Sequence, residues 1–279
     1  MEGSLRAFQP SLSVLPVTQA LRCDVIAATS AAREGDAMGQ GAADVTIEVP
    51  GIGTIPAYYS PAAELDPDGR APGVVVVHEI FGLTNDIRRI ADEFAARGYH
   101  SIAPDLMSHG GKVRCMVSAF RALQKEQGRP FAEIAAARSW LTSRDDVNGR
   151  VGIAGFCLGG AFAILMASRG FDASAAQYGM LPRNLEAALS GSCPMVASYG
   201  GRDGTLKGAA PRLEAALTDL GVEHDVKEYA DAGHSFMNHS SVPGWMKPFS
   251  SSMHAGYVDT AASDAWERID RMFSSALRD

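Results

Sequence analysis

The spacing of hydrophobic and polar positions changes near Asp44. Residues 1–42 carry no sustained period of 2 or 3.6. From Asp44 the run "DVTIEV" alternates, a Pro-Gly turn follows, and "TIPAYYS" alternates again. That pattern predicts two adjacent antiparallel strands. The turn-rich linker "PAAELDPDGRAPG" leads to "VVVV" at 74–77, an unbroken β-branched run expected of a strand buried on both faces.

Strand and helix signals then take turns. "NDIRRIADEFAARG" is amphipathic, with Asn85 as N-cap and Gly98 as stop, and "YHSIAPDL" is a strand. "MSHGGKVRC" at 107–115 reads as a glycine-containing loop at a strand end, placed to line a pocket. Pro130 opens the helix "PFAEIAAARSWLTSR". "RVGIAGF" is a strand running into the helix "LGGAFAILMASRG". "ASAAQYG", "PMVASYG" and "HDVKEYA" read as strands, with "AAPRLEAALTDLG" and "TAASDAWERIDRMFSSALR" as helices. Alternating elements of this kind predict an α/β fold with a mostly parallel central sheet and helices on both faces. The expected organisation is an N-terminal extension at 1–42 and one domain at 43–279. Met38 directly precedes "GQGAADVTIEV", so the first 37 residues are read as lying upstream of a natural start.

Composition narrows the field. The chain has 279 residues, of which 46% are hydrophobic and 20% charged, and a net charge of −7. These totals give no sign of nucleic acid or an anionic membrane as partner. No run approaches the roughly 18 apolar residues of a spanning helix. Cys23, Cys115, Cys157 and Cys193 match neither a disulfide framework nor a zinc site. The stretch "SLSVLPVTQALRC" is broken by Pro16 and polar residues, unlike a secretory signal, so a reducing cytoplasm is expected.

The chemistry centres on "GFCLGG" at 155–160. It has the shape of a G-x-S-x-G nucleophile turn with cysteine in the central place. Gly155, Gly159 and Gly160 let neighbouring backbone approach, and the new helix aims free N–H groups at the thiol. On this segment alone the nucleophile is the favoured account of Cys157, with a small buried residue packing helix on sheet as the alternative. Partners in the chain strengthen the first reading. Asp203 in "GRDGT" and His234 in "DAGHSF" each follow a predicted strand at its carboxyl end, in the nucleophile–acid–histidine order of this fold. A histidine would handle the thiol proton and an aspartate would fix its tautomer. The remaining histidines, His78, His100, His109, His224, His239 and His254, lack metal-ligand spacing, so neither metal nor other cofactor is expected. Phe81, Trp140 and Tyr178 are candidate pocket walls, although aromatic residues serve a core equally well.

The segments "VVVVHEIFGL", "APDL", "GFCLGG", "GRDG" and "AGHSF" together resemble the dienelactone hydrolase family, a branch of the α/β-hydrolases, over roughly 44–277. The resemblance implies a Cys157–His234–Asp203 triad, with Glu79 as a functional acid that interacts with the resting cysteine. A carboxylate there would also oppose thiolate formation by like charge. The backbone N–H groups of Ile80 and Leu158 are the expected oxyanion donors. One departure stands out. Members acting on dienelactone carry an arginine four residues after the catalytic histidine, whereas this chain has Asn238, which cannot supply that charge. The family's other substrate arginine lies in a variable segment, where Arg114 or Arg121 is the candidate replacement.

The expected activity is opening of a lactone or small activated ester, carboxymethylenebutenolidase-like, through an acyl-enzyme. The substrate is a small molecule and the protein a monomer or homodimer. A non-catalytic binding protein on the same fold, or an esterase of different range, are the alternatives.

Overall fold

In a computed structural model, the structure describes Met1 and residues 41–239 and 252–278. The predicted alternation at the start becomes β1 (Ala43–Val49) and β2 (Gly53–Ser60), paired antiparallel. Their inward residues Ile47, Val49, Ile55 and Ala57 are buried while the intervening ones reach solvent. The "VVVV" run lies in β3 (Ala71–Val77), every residue of which is buried, as a central strand requires.

Six more strands and helices follow in βα order: α1 (Asn85–Ala96), β4 (His100–Pro104), α2 (Lys112–Lys125), α3 (Arg129–Thr142), β5 (Val147–Phe156) and α4 (Leu158–Met166). The chain continues through β6 (Ala173–Gln177), α5 (Leu185–Leu189), β7 (Met195–Gly200), α6 (Ala209–Asp219), β8 (His224–Tyr229) and α7 (Asp259–Leu277). The strands form one sheet in the order β1-β2-β4-β3-β5-β6-β7-β8, with β1–β2 and β2–β4 antiparallel and all other pairs parallel.

Helices cover both faces, and glycines set how closely. Val151 and Gly152 are consecutive on β5 and so point to opposite faces. Leu141 of α3 fills the room beside Gly73 and Val151, while Phe273 and Leu277 of α7 fill the room over Gly152. One buried cation fastens α7 to the sheet. Arg268 donates to both carboxylate oxygens of Asp225 on β8 at 2.8 and 2.9 Å, and to Ser198 Oγ and the Ala197 carbonyl on β7 at 2.9 and 3.1 Å.

Two local expectations need correction. The N-cap of α1 is Thr84, whose hydroxyl accepts from the Ile87 amide at 3.4 Å; Asn85 is already helical. The segment 107–115 is not a loop throughout. Gly111, at φ 89°, turns the chain into α2, so Lys112–Cys115 are its first turn. The short α5 also escapes the sequence pattern, being one turn long and capped by Asn184. The extension at 2–40 lies outside the described residues. Among the described residues no helix is long and apolar enough to cross a membrane.

Candidate active site

The carboxyl ends of β3, β5, β7 and β8 deliver four of the predicted side chains to one edge of the sheet. Cys157 sits between β5 and α4 at φ 56° and ψ −111°, a strained conformation for a residue with a side chain. The strain persists because the turn has no slack. A Cβ on Gly155 would overlap the Gly159 carbonyl, and one on Gly159 would overlap the Val77 carbonyl. The Cys157 amide is tied to the Gln177 carbonyl of β6 at 3.1 Å. Its side chain is half-buried at the N-terminus of α4, the end of a helix that favours negative charge.

Asp203 and His234, read from the sequence as acid and base, are hydrogen-bonded to each other. His234 Nδ1 donates to Asp203 Oδ2 at 2.6 Å, with both residues buried. The other Asp203 oxygen accepts from the Thr205 amide at 2.9 Å and the Thr205 hydroxyl at 2.6 Å. Burial alone would raise this carboxyl, but the bonds from His234 and Thr205 outweigh it and hold Asp203 below the usual range. The remaining ring nitrogen, His234 Nε2, is buried and makes no bond of hydrogen-bond geometry among the described residues. Cys157 acts on this imidazole directly. Burial pulls the ring down, yet the charge of Cys157 and the bond to Asp203 push it up to about 10. A ring held this way is suited to take and keep the proton of a neighbouring nucleophile.

Glu79 is buried at the end of β3, and burial pushes its carboxyl up despite the Ser235 hydroxyl bonded to Oε1 at 2.6 Å. Ser235, next to the base, has φ 56°. The turn carrying Glu79 and Ile80 is anchored from behind by His78. Its Nε2 accepts from the Leu106 amide at 3.0 Å, so Nδ1 bears the proton and donates to the Glu79 carbonyl at 2.6 Å. The amides of Ile80 and Leu158 have no acceptor among the described residues, Leu158 because it opens α4.

The candidate substrate residues divide. Tyr178 is fully buried at φ 42°, its ring 5.2 Å from that of His234. Burial, with Glu79, Cys157 and Asp86 around it, pushes its hydroxyl well above the usual range. That hydroxyl donates to Asn238 Oδ1, and Asn238 Nδ2 donates to Asp86 Oδ2 at 2.8 Å. Arg89 completes the network through Asp86 Oδ1 at 2.9 Å and the Met237 carbonyl at 3.2 Å. Asn238 is thus buried with its amide used at both ends. Phe81 is half-buried in the loop after β3. Arg114 lies exposed on α2, beside an open hollow of about 850 Å³, and the structure does not bond it to the triad. Trp140 belongs elsewhere, packed edge-on against Tyr59 at 5.1 Å under the Arg144 guanidinium. Thr205, Ser235, Asp86 and Arg89 were not singled out from sequence. Only Thr205 left a trace there, as the residue two places after a turn aspartate, where Asx-type bonds form.

A parallel sheet with a nucleophile turn after one strand, an acid and a histidine after two later ones, and helices on both faces define an α/β-hydrolase. Comparison with known proteins narrows this: the dienelactone hydrolase family profile matches residues 59–277, and the chain belongs to that family. A Pseudomonas putida carboxymethylenebutenolidase is 29% identical over 213 residues, covering 71% of this chain and 83% of the relative. Two solved structures share the fold. The structure of m3DLH aligns with a TM-score of 0.71 at 21% identity, covering 85% of this chain and 98% of that one. A dienelactone hydrolase-like promiscuous phosphotriesterase from metagenomic libraries aligns at 0.68 and 22%, covering 85% and 99%.

Proposed function

We propose that the protein opens lactones or small activated esters through a cysteine acyl-enzyme. The observation that carries this reading is the buried Asp203–His234 pair with Cys157 acting on the same imidazole from its strained turn. In the first step Cys157 Sγ bonds to the substrate's carbonyl carbon, and the carbonyl electron pair moves onto oxygen. The free amides of Ile80 and Leu158 receive that oxyanion. Collapse expels the ring or ester oxygen, which takes the Nε2 proton of His234, leaving a thioester. Water then attacks the thioester as His234 accepts its proton, and the thiolate departs. A lactone yields a hydroxy acid, or an oxo acid where the ring oxygen was enolic.

Asp203 holds His234 in the one tautomer that leaves Nε2 for this work. Glu79 supplies a negative field beside the thiol and the ring until substrate arrives. The relative's name, carboxymethylenebutenolidase, points to dienelactone itself. The buried Asn238, where members acting on that substrate carry arginine, supports a substrate without a carboxylate in that position. The small size of such substrates and a thiol nucleophile fit a reducing cytoplasm and the domain at 43–279.

The test is hydrolysis of dienelactone, simple lactones and p-nitrophenyl acetate by the wild type and Cys157→Ala. Turnover lost in the variant supports the reading, and the ranking of substrates reports on Asn238. Turnover unchanged in the variant overturns it.

A further inference from the structure

Helix α2 is apolar on two sides. Towards the core it presents Cys115, Ala119 and Ala122, all buried, with Leu123 packed beside them. Towards solvent it presents three more apolar residues: Val113 is 71% exposed, Val117 40% and Phe120 37%. These three recur at the helical spacing of one face, so they form a continuous stripe. An ordinary surface helix carries polar residues there.

The stripe has a charged flank. Arg114, Arg121 and Lys125 lie along one side of it and are exposed. None of the three makes a hydrogen bond or ion pair among the described residues. The helix sequence, "KVRCMVSAFRALQK", contains four basic residues and no acidic one. The chain's net charge of −7 hides this local excess, which is why composition alone argues against an anionic surface as partner. Gly110, Gly111, Val113, Arg114, Val117 and Arg121 are among the residues that border the open hollow described above.

We propose that α2 docks the protein on an anionic lipid surface, with Val113, Val117 and Phe120 entering the acyl–headgroup boundary and the cations meeting lipid phosphates. Exposed apolar side chains beside unpaired cations are the chemistry of a helix lying in a membrane interface. A second copy of the chain fits less well. A two-fold contact through this face would set three cations against the same three, with no anion on the helix to answer them. The proposal concerns a helix lying on a membrane and is independent of the catalytic reading.

The experiment is co-sedimentation of the full chain with vesicles of phosphatidylcholine alone and of phosphatidylcholine with phosphatidylglycerol. Two surface pairs are compared with wild type: Arg121→Gln with Lys125→Gln, and Val117→Ser with Phe120→Ser. Circular dichroism melting confirms that each is folded. The wild type is expected to sediment only with the anionic vesicles, and the charge pair to weaken binding roughly 30-fold. The apolar pair should weaken it as well, and salt should weaken wild-type binding. Equal binding to both vesicles, no binding to either, or binding indifferent to both pairs overturns the proposal. Self-association broken by both pairs, without vesicle binding, would overturn it in favour of a protein contact.

Discussion

Glu133 offers a sharp test of how burial sets this protein's response to pH. Its side chain on α3 is 0% exposed, and neither carboxylate oxygen accepts a hydrogen bond among the described residues. Arg129 Nε stands 3.4 Å away and His109 Nδ1 3.7 Å, so the charge has neighbours but no close bond. Burial pushes the carboxyl from 4.5 up to about 7; Arg129 opposes the shift and Asp105 adds to it. The folded state therefore holds this proton more tightly than the unfolded chain. Stability from the neutral form is fully present below about pH 4.5 and is lost as pH rises through about 7. A shift of this size corresponds to about 3 kcal/mol, at roughly 1.4 kcal/mol per unit. Glu133→Gln keeps the shape and removes the ionisation. Urea unfolding of both proteins should give equal stability near pH 4.5 and a variant more stable by about 2–3 kcal/mol near pH 8. A variant less stable than wild type at the higher pH, or a difference that ignores pH, would refute the reasoning and make the Arg129 pair the dominant interaction.

Other consequences concern the site. Asp203→Asn should lower kcat on a reactive ester by roughly a thousand- to ten-thousandfold, because the amide no longer selects the tautomer with Nε2 free; steady-state kinetics with unchanged folding checks this. With His234 pushed up to about 10, kcat/KM should hold steady above neutrality and fall as pH rises through about 10, when the proton for the leaving group is lost. A profile that falls near pH 7 would mean that the histidine works as an isolated base. Asn238→Leu removes the acceptor of the buried Tyr178 hydroxyl and one of the donors to Asp86 Oδ2, which keeps the His239 amide, and should cost about 1–3 kcal/mol in urea unfolding.

The sheet was legible because its strands obey two simple patterns. β1 and β2 alternate, and β3 is a continuous β-branched run. The positions of Cys157, Asp203 and His234 were legible because each follows a predicted strand, at the edge where this fold gathers its chemistry. The other parts of the site depend on contacts distant in sequence. Ser235 reaches Glu79 across 156 positions and Asn238 reaches Asp86 across 152, and no local spacing marks either pair. The same holds for Arg89, which reads locally as the polar side of an amphipathic helix. Helix α2 was hidden for another reason. Its start is two glycines, which signal a loop, and its large apolar residues face solvent, so a pattern read as core burial does not describe it.

The rivet that Arg268 drives through β7 and β8 bears on how the enzyme can change. Those two strands lead to Asp203 and His234, the proposed acid and base, and one guanidinium bridges them through Ala197, Ser198, Asp225 and Tyr229. Under the proposed mechanism, the two partners of the proton relay would then move together, while Cys157 and Ile80 follow β5 and β3. Loops around the thiol can be rebuilt, or the thiol exchanged for a hydroxyl, without realigning the relay. Substrate range and proton handling are separable inheritances in this chain.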